Sequence, residues 1–204
     1  MLIKDIQVGH LDTNCYIVTD EDTLECVVID PGDESNSIMD YLEEHKLKCR
    51  FIFLTHGHDD HTSACAAVSE ETGAPVFINA RETEQGIVES HVRVPEGGFH
   101  NYSEGDKFQV GGLSFSILDM PGHSPGGVAI ICENALFTGD TLFKDSCGRT
   151  DFSGGDMGQI LSSLKKLYTL SGDYEVYPGH MDSSTLDRES RFNYYMKYSM
   201  ENIK

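Results

Sequence analysis

The 204-residue chain is short of positive charge: 15 lysines and arginines stand against 34 aspartates and glutamates, a formal net charge of −19. Nucleic acids and anionic membrane surfaces are held through a basic footprint, so neither is expected as a partner. The acidity reads first as a solvated surface. An anionic substrate would need a local positive site of its own, and bound metal ions would supply one. Long apolar runs are also missing. None approaches the ~20 residues of a membrane span, and the start of the chain, Met1 to Val8, has neither the apolar core nor the small-residue cleavage site of a signal peptide. The six cysteines (Cys15, Cys26, Cys49, Cys65, Cys132 and Cys147) form no Cys-x-x-Cys pair. That excludes a zinc ribbon and a disulfide framework and leaves reduced thiols in the cytoplasm.

What remains, 39% hydrophobic and 24% charged residues, is the composition of a globular chain. Leu2–Val8, Cys15–Val18 and Cys26–Ile29 are short apolar runs split by polar turns, as in a β-meander. Ser35 to Lys48 carries a helical stripe of Ile38, Met39, Leu42 and Leu47, with Ser35 as the expected N-cap. A strand over 51–54 follows, then a helix over 62–72 stopped by Gly73, and a strand over 75–78. Residues 79–105 are weakly patterned, with a short helix expected over 81–86; such loops often cover sites. Strands are expected over 108–110, 113–118, 128–132 and 135–137, with hairpin turns at Gly111-Gly112 and Glu133-Asn134. An amphipathic helix over 156–170, a strand over 175–177 and a mostly helical segment over 183–203 end the chain. No repeat or linker divides it, so one domain over 1–204 is expected, with two sheets that each carry helices on the outer face.

The chemistry collects where these strands end. Phe51-Ile-Phe-Leu runs into Thr55-His56-Gly57-His58-Asp59-Asp60-His61. A buried strand gains nothing from five ionisable groups at its tip, because each costs free energy to desolvate unless it is paired; a bound metal removes that cost. In extended chain His56 and His58 point the same way, Gly57 lets the backbone turn, and Asp60 and His61 follow where the chain bends. Three further strand ends repeat the plan of strand, glycine and ligand-type side chain: Gly122-His123, Gly139-Asp140 and Gly179-His180. Asp30-Pro31-Gly32 is a weaker fifth. A catalytic zinc takes about three protein ligands and keeps a position for water. His56, His58 and His123 would complete one ion, Asp60, His61 and His180 a second, and Asp140 can bridge them, leaving a hydroxide shared between two ions. Asp59 reads as a turn residue, and His10, His45, His91 and His100 as ordinary histidines.

The pattern His56-x-His58-x-Asp60-His61, His123, Asp140, His180 resembles the metallo-β-lactamase fold superfamily, and within it the small glyoxalase II-like hydrolases. Thr13-Asn14-Cys15-Tyr16, Asp30-Pro31-Gly32, Gly139 to Phe143, Glu189 and Asn193 extend the likeness over nearly the whole chain. The resemblance implies an α+β class, four-layer αββα sandwich of two mixed sheets, with two divalent metal ions, zinc foremost and iron or manganese as alternatives, at one edge. It implies the same seven ligands, with Asp60 and Asp140 as the catalytic carboxylates that position ions and hydroxide. It separates the chain from typical zinc β-lactamases, which lack the Asp60 and bridging Asp140 arrangement. Glyoxalase II proper continues past the equivalent of residue 180 into a helical region whose basic groups hold glutathione, and the chain ends too soon to supply it.

The expected activity is metal-dependent thioester hydrolysis of S-lactoylglutathione or a similar acyl thioester, a small-molecule substrate. Arg149 either pairs with a substrate carboxylate or forms a structural salt bridge with Asp145 or Asp151. The rival enzyme is a mononuclear iron persulfide dioxygenase of the same fold. Gly148 to Phe152 looks like that family, and His56, His123 and Asp140 would form its two-histidine, one-carboxylate iron site. Hydrolysis of another ester or a lactone is a further alternative. A metal-stabilised binding module is the non-catalytic one, disfavoured because structural zinc sites are closed. Oligomeric state is not readable from the sequence.

Overall fold

The structure, a computed structural model, describes residues 1–203. It contains two six-stranded sheets. The first runs in the order β1 (Leu2–Val8), β2 (Thr13–Asp20), β3 (Glu25–Ile29), β4 (Lys48–Phe53), β5 (Val76–Ile78), β6 (Phe99–Asn101). β1 to β3 form an antiparallel meander, and β3 to β6 pair in parallel. The parallel half needs crossovers, which α1 (Ser35–Glu44), α2 (Asp59–Thr62), α3 (Cys65–Thr72) and α4 (Ala80–Glu84) supply.

In the second sheet β7 (Lys107–Val110), β8 (Leu113–Asp119), β9 (Val128–Cys132) and β10 (Ala135–Gly139) are antiparallel neighbours. A small hairpin, β11 (Leu142–Phe143) and β12 (Ser146–Cys147), and helix α5 (Met157–Tyr168) lead to β13 (Glu175–Pro178), which pairs in parallel with β10. β14 (Ser184–Thr185) closes the edge, followed by α6 (Leu186–Phe192) and α7 (Tyr194–Asn202).

Alternation along the strands explains the layers. In β2 all eight residues are buried, because Tyr16 and Val18 face the second sheet while Cys15 and Ile17 face the helices. In and after β4, Phe53 faces the inter-sheet core and Ile52 and Leu54 the opposite one. The inter-sheet core is aromatic around Phe53, whose ring lies 4.9 to 6.0 Å from those of Phe51, Phe77, Tyr102, Phe108 and Phe115. Burial of that one side chain contributes about 1.5–3 kcal/mol. Across the second sheet, Ile160, Leu161, Leu164 and Leu167 line the buried stripe of α5, against Leu136 and Val176. The order of layers is therefore helices, sheet, sheet, helices, the αββα sandwich. No described helix is long and apolar enough to cross a membrane.

Several elements differ from the sequence expectation. Ser35 is the first helical residue and not the cap, which is Glu34 in a left-handed conformation with no side-chain cap bond. The helical stripe ends at Leu42. Lys46 turns left-handed at φ 56°, Lys46 N–H donates to Glu43 O and Leu47 N–H to Leu42 O, which is a Schellman stop without glycine. Leu47 thus reaches the core from beyond the helix. The segment expected as one helix over 62–72 breaks into α2 and α3, so that Asp60 and His61 lie within the first helical turns. β6 and the β11–β12 hairpin fall in stretches too short for a period to show. The closing segment splits at Asn193, whose extended backbone ends α6 and whose Oδ1 caps α7.

The two sheets are tied together at one edge. Asn14 N–H donates to Gly179 O at 2.8 Å, and its side-chain amide donates to the carbonyls of Pro178 and Met181 at 3.0 and 2.9 Å. Tyr16 adds a 2.7 Å bond from its hydroxyl to Pro178 O, and Val128 N–H donates to Thr55 O. The C-terminal ends of β4, β8, β10 and β13 open onto this same edge.

Candidate metal centre

In four of the five clustered histidines the Nδ1 atom has a polar partner, which turns Nε2 inward. A carbonyl can only accept, so the 2.8 Å contact to Arg149 O places the proton of His123 on Nδ1, and the 3.1 Å contact to Leu11 O does the same for His180. Asp30 accepts from Thr55 N–H at 2.7 Å, from Thr55 Oγ1 at 2.6 Å and from His61 Nδ1 at 3.0 Å. With its proton given to Asp30, the Thr55 hydroxyl accepts from His56 Nδ1 at 3.1 Å. The Nε2 atoms of His56, His61, His123 and His180 are thereby left pointing into the edge, which is how ligand histidines are commonly oriented.

The inward atoms form three overlapping groups: His56, His58 and His123; His56, His61 and Asp140; and Asp60, His61 and His180. Within each group they lie within 4.8 Å of one another. His123 Nε2 faces His58 Nδ1 at 2.9 Å, and His61 Nε2 faces His180 Nε2 at 3.3 Å. Opposed lone pairs repel unless a proton or a metal ion lies between them. Asp140 reaches both ends: Oδ1 is 3.5 Å from His61 Nε2, and Oδ2 is 3.5 and 3.6 Å from His123 and His180 Nε2. Asp60 Oδ2 is 3.1 Å from His180 Nε2 and accepts from Thr13 Oγ1. His56 Nε2 and Asp140 Oδ1 are buried with no hydrogen-bond partner, an arrangement that costs free energy unless something binds there. These residues fit divalent metal binding.

Electrostatics divide the seven residues. Burial, then the neighbouring His61, holds His56 well below the ordinary histidine value. Burial and His123 bring His58 down to about 4, and burial lowers His123 against the pull of Asp140. At the other end burial opposes protonation too, but Asp140 and Asp30 raise His61 to about 9. His180 is raised despite burial by its bond to Asp60 and by Asp140. Asp60, against its own desolvation, is held below the usual carboxylate range by His180 and His61.

The structure brings His56, His58, Asp60, His61, His123, Asp140 and His180 to one place. Asp59 starts α2, accepting from Asp60 N–H, and His10, His45, His91 and His100 belong to none of the three groups. Arg149 stands on the wall of the cleft beside the centre. Two of its nitrogens donate to the Asp151 carboxylate at 2.6 and 2.7 Å, and its guanidinium lies 4.1 Å from the Phe152 ring centroid.

Two residues of the site escaped the sequence reading as positioning groups. Asp30, a weak ligand candidate, instead orients Thr55 and His61. Glu82, in the weakly patterned stretch, is fully buried and accepts from Gly57 N–H at 2.8 Å and Gly126 N–H at 2.5 Å. It thereby joins the loop of His56 and His58 to the loop after His123, and burial pushes its carboxyl above the ordinary value. It also explains the two glycines: a Cβ on Gly57 or Gly126 would lie 2.9 or 2.8 Å from its oxygens. Gly57 is needed for this close approach rather than for conformational freedom. The one available sign was a glutamate in a short helix; nothing local pointed to its partners, 25 and 44 residues away.

Comparison with known proteins places this centre in a family. The chain is 31% identical over 212 residues to a Haemophilus influenzae protein named hydroxyacylglutathione hydrolase GloC, covering 96% of this chain and 98% of that one. Among solved structures, BLEG-1 B3 metallo-beta-lactamase superposes with a TM-score of 0.85 at 30% identity, covering 96% and 99% of the two chains. TTHA1623 in a di-iron-bound form gives 0.84 at 32%, covering 94% and 99%. ETHE1 from Myxococcus xanthus gives 0.80 at 30%, covering 100% and 92%. The Metallo-beta-lactamase superfamily pattern matches residues 8–180, the span from the end of β1 to the last histidine of the centre. With that span, this sandwich and a histidine and aspartate cluster suited to divalent metals, the chain belongs to the metallo-beta-lactamase superfamily of metal-dependent hydrolases.

Proposed function

We propose that the protein is a binuclear metal-dependent hydrolase of acyl thioesters. The observation that carries this reading is the convergence of inward ring nitrogens, facing each other at 2.9 and 3.3 Å, around the unpartnered His56 Nε2 and Asp140 Oδ1. His56, His58 and His123 would hold one ion and Asp60, His61 and His180 the other, with Asp140 within reach of both. When bound, the ions polarise the acyl carbonyl and lower the pKa of water enough to supply a nucleophile near neutral pH. Zinc suits the donor set, and the di-iron form of TTHA1623 makes iron an alternative. Asp30, Leu11 O and Arg149 O orient the rings, Thr13 orients Asp60, and Asp60 with Asp140 sets the spacing between the two ends. Water adds to the carbonyl carbon, the C–S bond breaks, and the thiolate leaves and takes up the proton that the water gives up, so that a thiol and a carboxylic acid are the products.

The name of the Haemophilus relative supports the thioester class. The net charge supports a small-molecule substrate over nucleic acid or membrane, and the six free cysteines support a cytoplasmic setting. The test is metal analysis of the purified protein together with turnover of S-lactoylglutathione and simpler acyl thioesters. Two ions per chain with metal-dependent release of thiol is the expected result. Metal-loaded protein inactive on every thioester would overturn the reading. A persulfide dioxygenase is the second reading, favoured by the likeness to ETHE1 over the whole chain; one iron per chain with oxygen uptake on glutathione persulfide would establish it instead.

A further inference from the structure

The cleft over the metal centre has a volume of about 890 Å³, ample for a drug-sized ligand, and its walls are apolar where the substrate must lie. On the side of the three histidines, Phe152 packs 5.4 Å from the His58 ring and Ile87 stands beside it in the wall. On the side of His180, Phe143 lies 6.3 Å from that ring, with Leu11 and Met181 in the same wall. Leu11, Met181 and Phe152 are 52%, 58% and 45% exposed. Single exposed apolar residues are ordinary, but a group of them rimming one cleft marks a binding surface.

The charges around the cleft carry the second half of the argument. Among the described residues Arg149 is the one lysine or arginine lining it, and its Nε and Nη2 both donate to the Asp151 carboxylate. Asp59 and Glu89 line the cleft as well. A ligand with carboxylates away from the metals therefore meets one arginine whose charge Asp151 already offsets, and it approaches a chain of net charge −19. An uncharged chain meets apolar wall on both sides.

We infer that this cleft selects acyl thioesters with an uncharged apolar chain and a thiol lacking carboxylates, so that glutathione conjugates are disfavoured. This rests on the thioesterase reading and narrows it. Leu11, Met181 and Phe152 set the specificity.

The test compares acetyl, butanoyl, hexanoyl and octanoyl thioesters of N-acetylcysteamine with the matching glutathione thioesters on protein loaded with metal. The expected kcat/KM rises about two- to fourfold per added methylene, the scale of burying a CH2 group. The neutral thiol is favoured at least tenfold over glutathione at equal acyl length. Leu11→Ser with Met181→Ser lowers the octanoyl value more than the acetyl value. A binding measurement that needs no turnover runs alongside: by calorimetry the metal-free protein binds the S-octyl thioether of N-acetylcysteamine at least tenfold more tightly than S-octylglutathione. Rates that ignore chain length, or equal or better use and binding of the glutathione compounds, overturn the substrate class and leave the hydrolase standing. Loss of all thioester turnover at two ions per chain overturns the hydrolase and the class with it.

Discussion

The two ends of the metal centre use the same residue type on opposite electrostatic plans. At the His56, His58 and His123 end, burial dominates and the rings are held neutral, His58 as low as about 4. At the Asp60, His61 and His180 end, carboxylates outweigh burial and His61 rises to about 9. A cation taken up at the first end would displace no proton, whereas one taken up at the second would displace a proton from His61. A histidine's role as ligand is thus set by its neighbours rather than by its identity, even between His58 and His61 on one segment.

The largest expected effect comes from breaking the first end. His58→Ala should lose one ion per chain by elemental analysis. It should also lower thioester turnover by more than the roughly 10–100-fold typical of losing an outer partner of a ligand. Retention of both ions and full activity would sink the binuclear reading. Asp30→Asn attacks the second end directly through that kind of outer partner, and the affinity for the ion there should fall about 10–100-fold in a competition titration, with a smaller loss at the first end through Thr55 and His56. Glu82→Gln tests the tie between the two ligand loops at the first end. An amide leaves one acceptor for two backbone donors, so thermal unfolding should show a loss of about 1–3 kcal/mol, with weaker binding of the first ion; restoration by Glu82→Asp is not expected, because the shorter side chain cannot span both amides.

Protons give a smaller, sharper contrast. Loading metal at pH 7.5, between the ordinary histidine value and that of His61, should release a proton from the second end and none from His58, read by calorimetry in buffers of different ionisation enthalpy. The stability of the metal-free protein follows the same signs. His61, raised, contributes stability that is complete below about pH 6.5 and lost as pH rises through about 9. His58, lowered, contributes stability present above about pH 6.5 and lost as pH falls toward about 4. The smallest change is Asp151→Asn. The pair it breaks is exposed and adds little to stability, so the melting temperature should stay put, while the freed Arg149 should raise the relative use of glutathione thioesters.

Much of the site was legible because its ligands are local. His56, His58, Asp60 and His61 lie on one segment, and a strand tip loaded with ionisable groups has few explanations. His123, Asp140 and His180 share the plan of a strand running through glycine to a ligand. The outer partners were not legible, since Asp30 and Glu82 act on residues 25 to 44 positions away through contacts that only strand order creates. The stop of α1 was misplaced for a related reason: Leu47 continues its stripe in sequence, yet Lys46 has already turned the chain out of the helix.

By itself the sequence carried the candidate donors and the order of elements, because ligand spacing and periodicity are local properties that survive without coordinates, while the family and its layers came through the resemblance of the motifs. The tertiary structure alone decided which histidines are neutral, which carboxylates orient rather than ligate, and what lines the cleft. Leu11, Ile87, Phe143, Phe152 and Met181 come from five separate stretches of chain. They become one apolar wall only when the two sheets, pinned by Asn14 and Tyr16 to the Pro178 loop, bring their strand ends to a common edge.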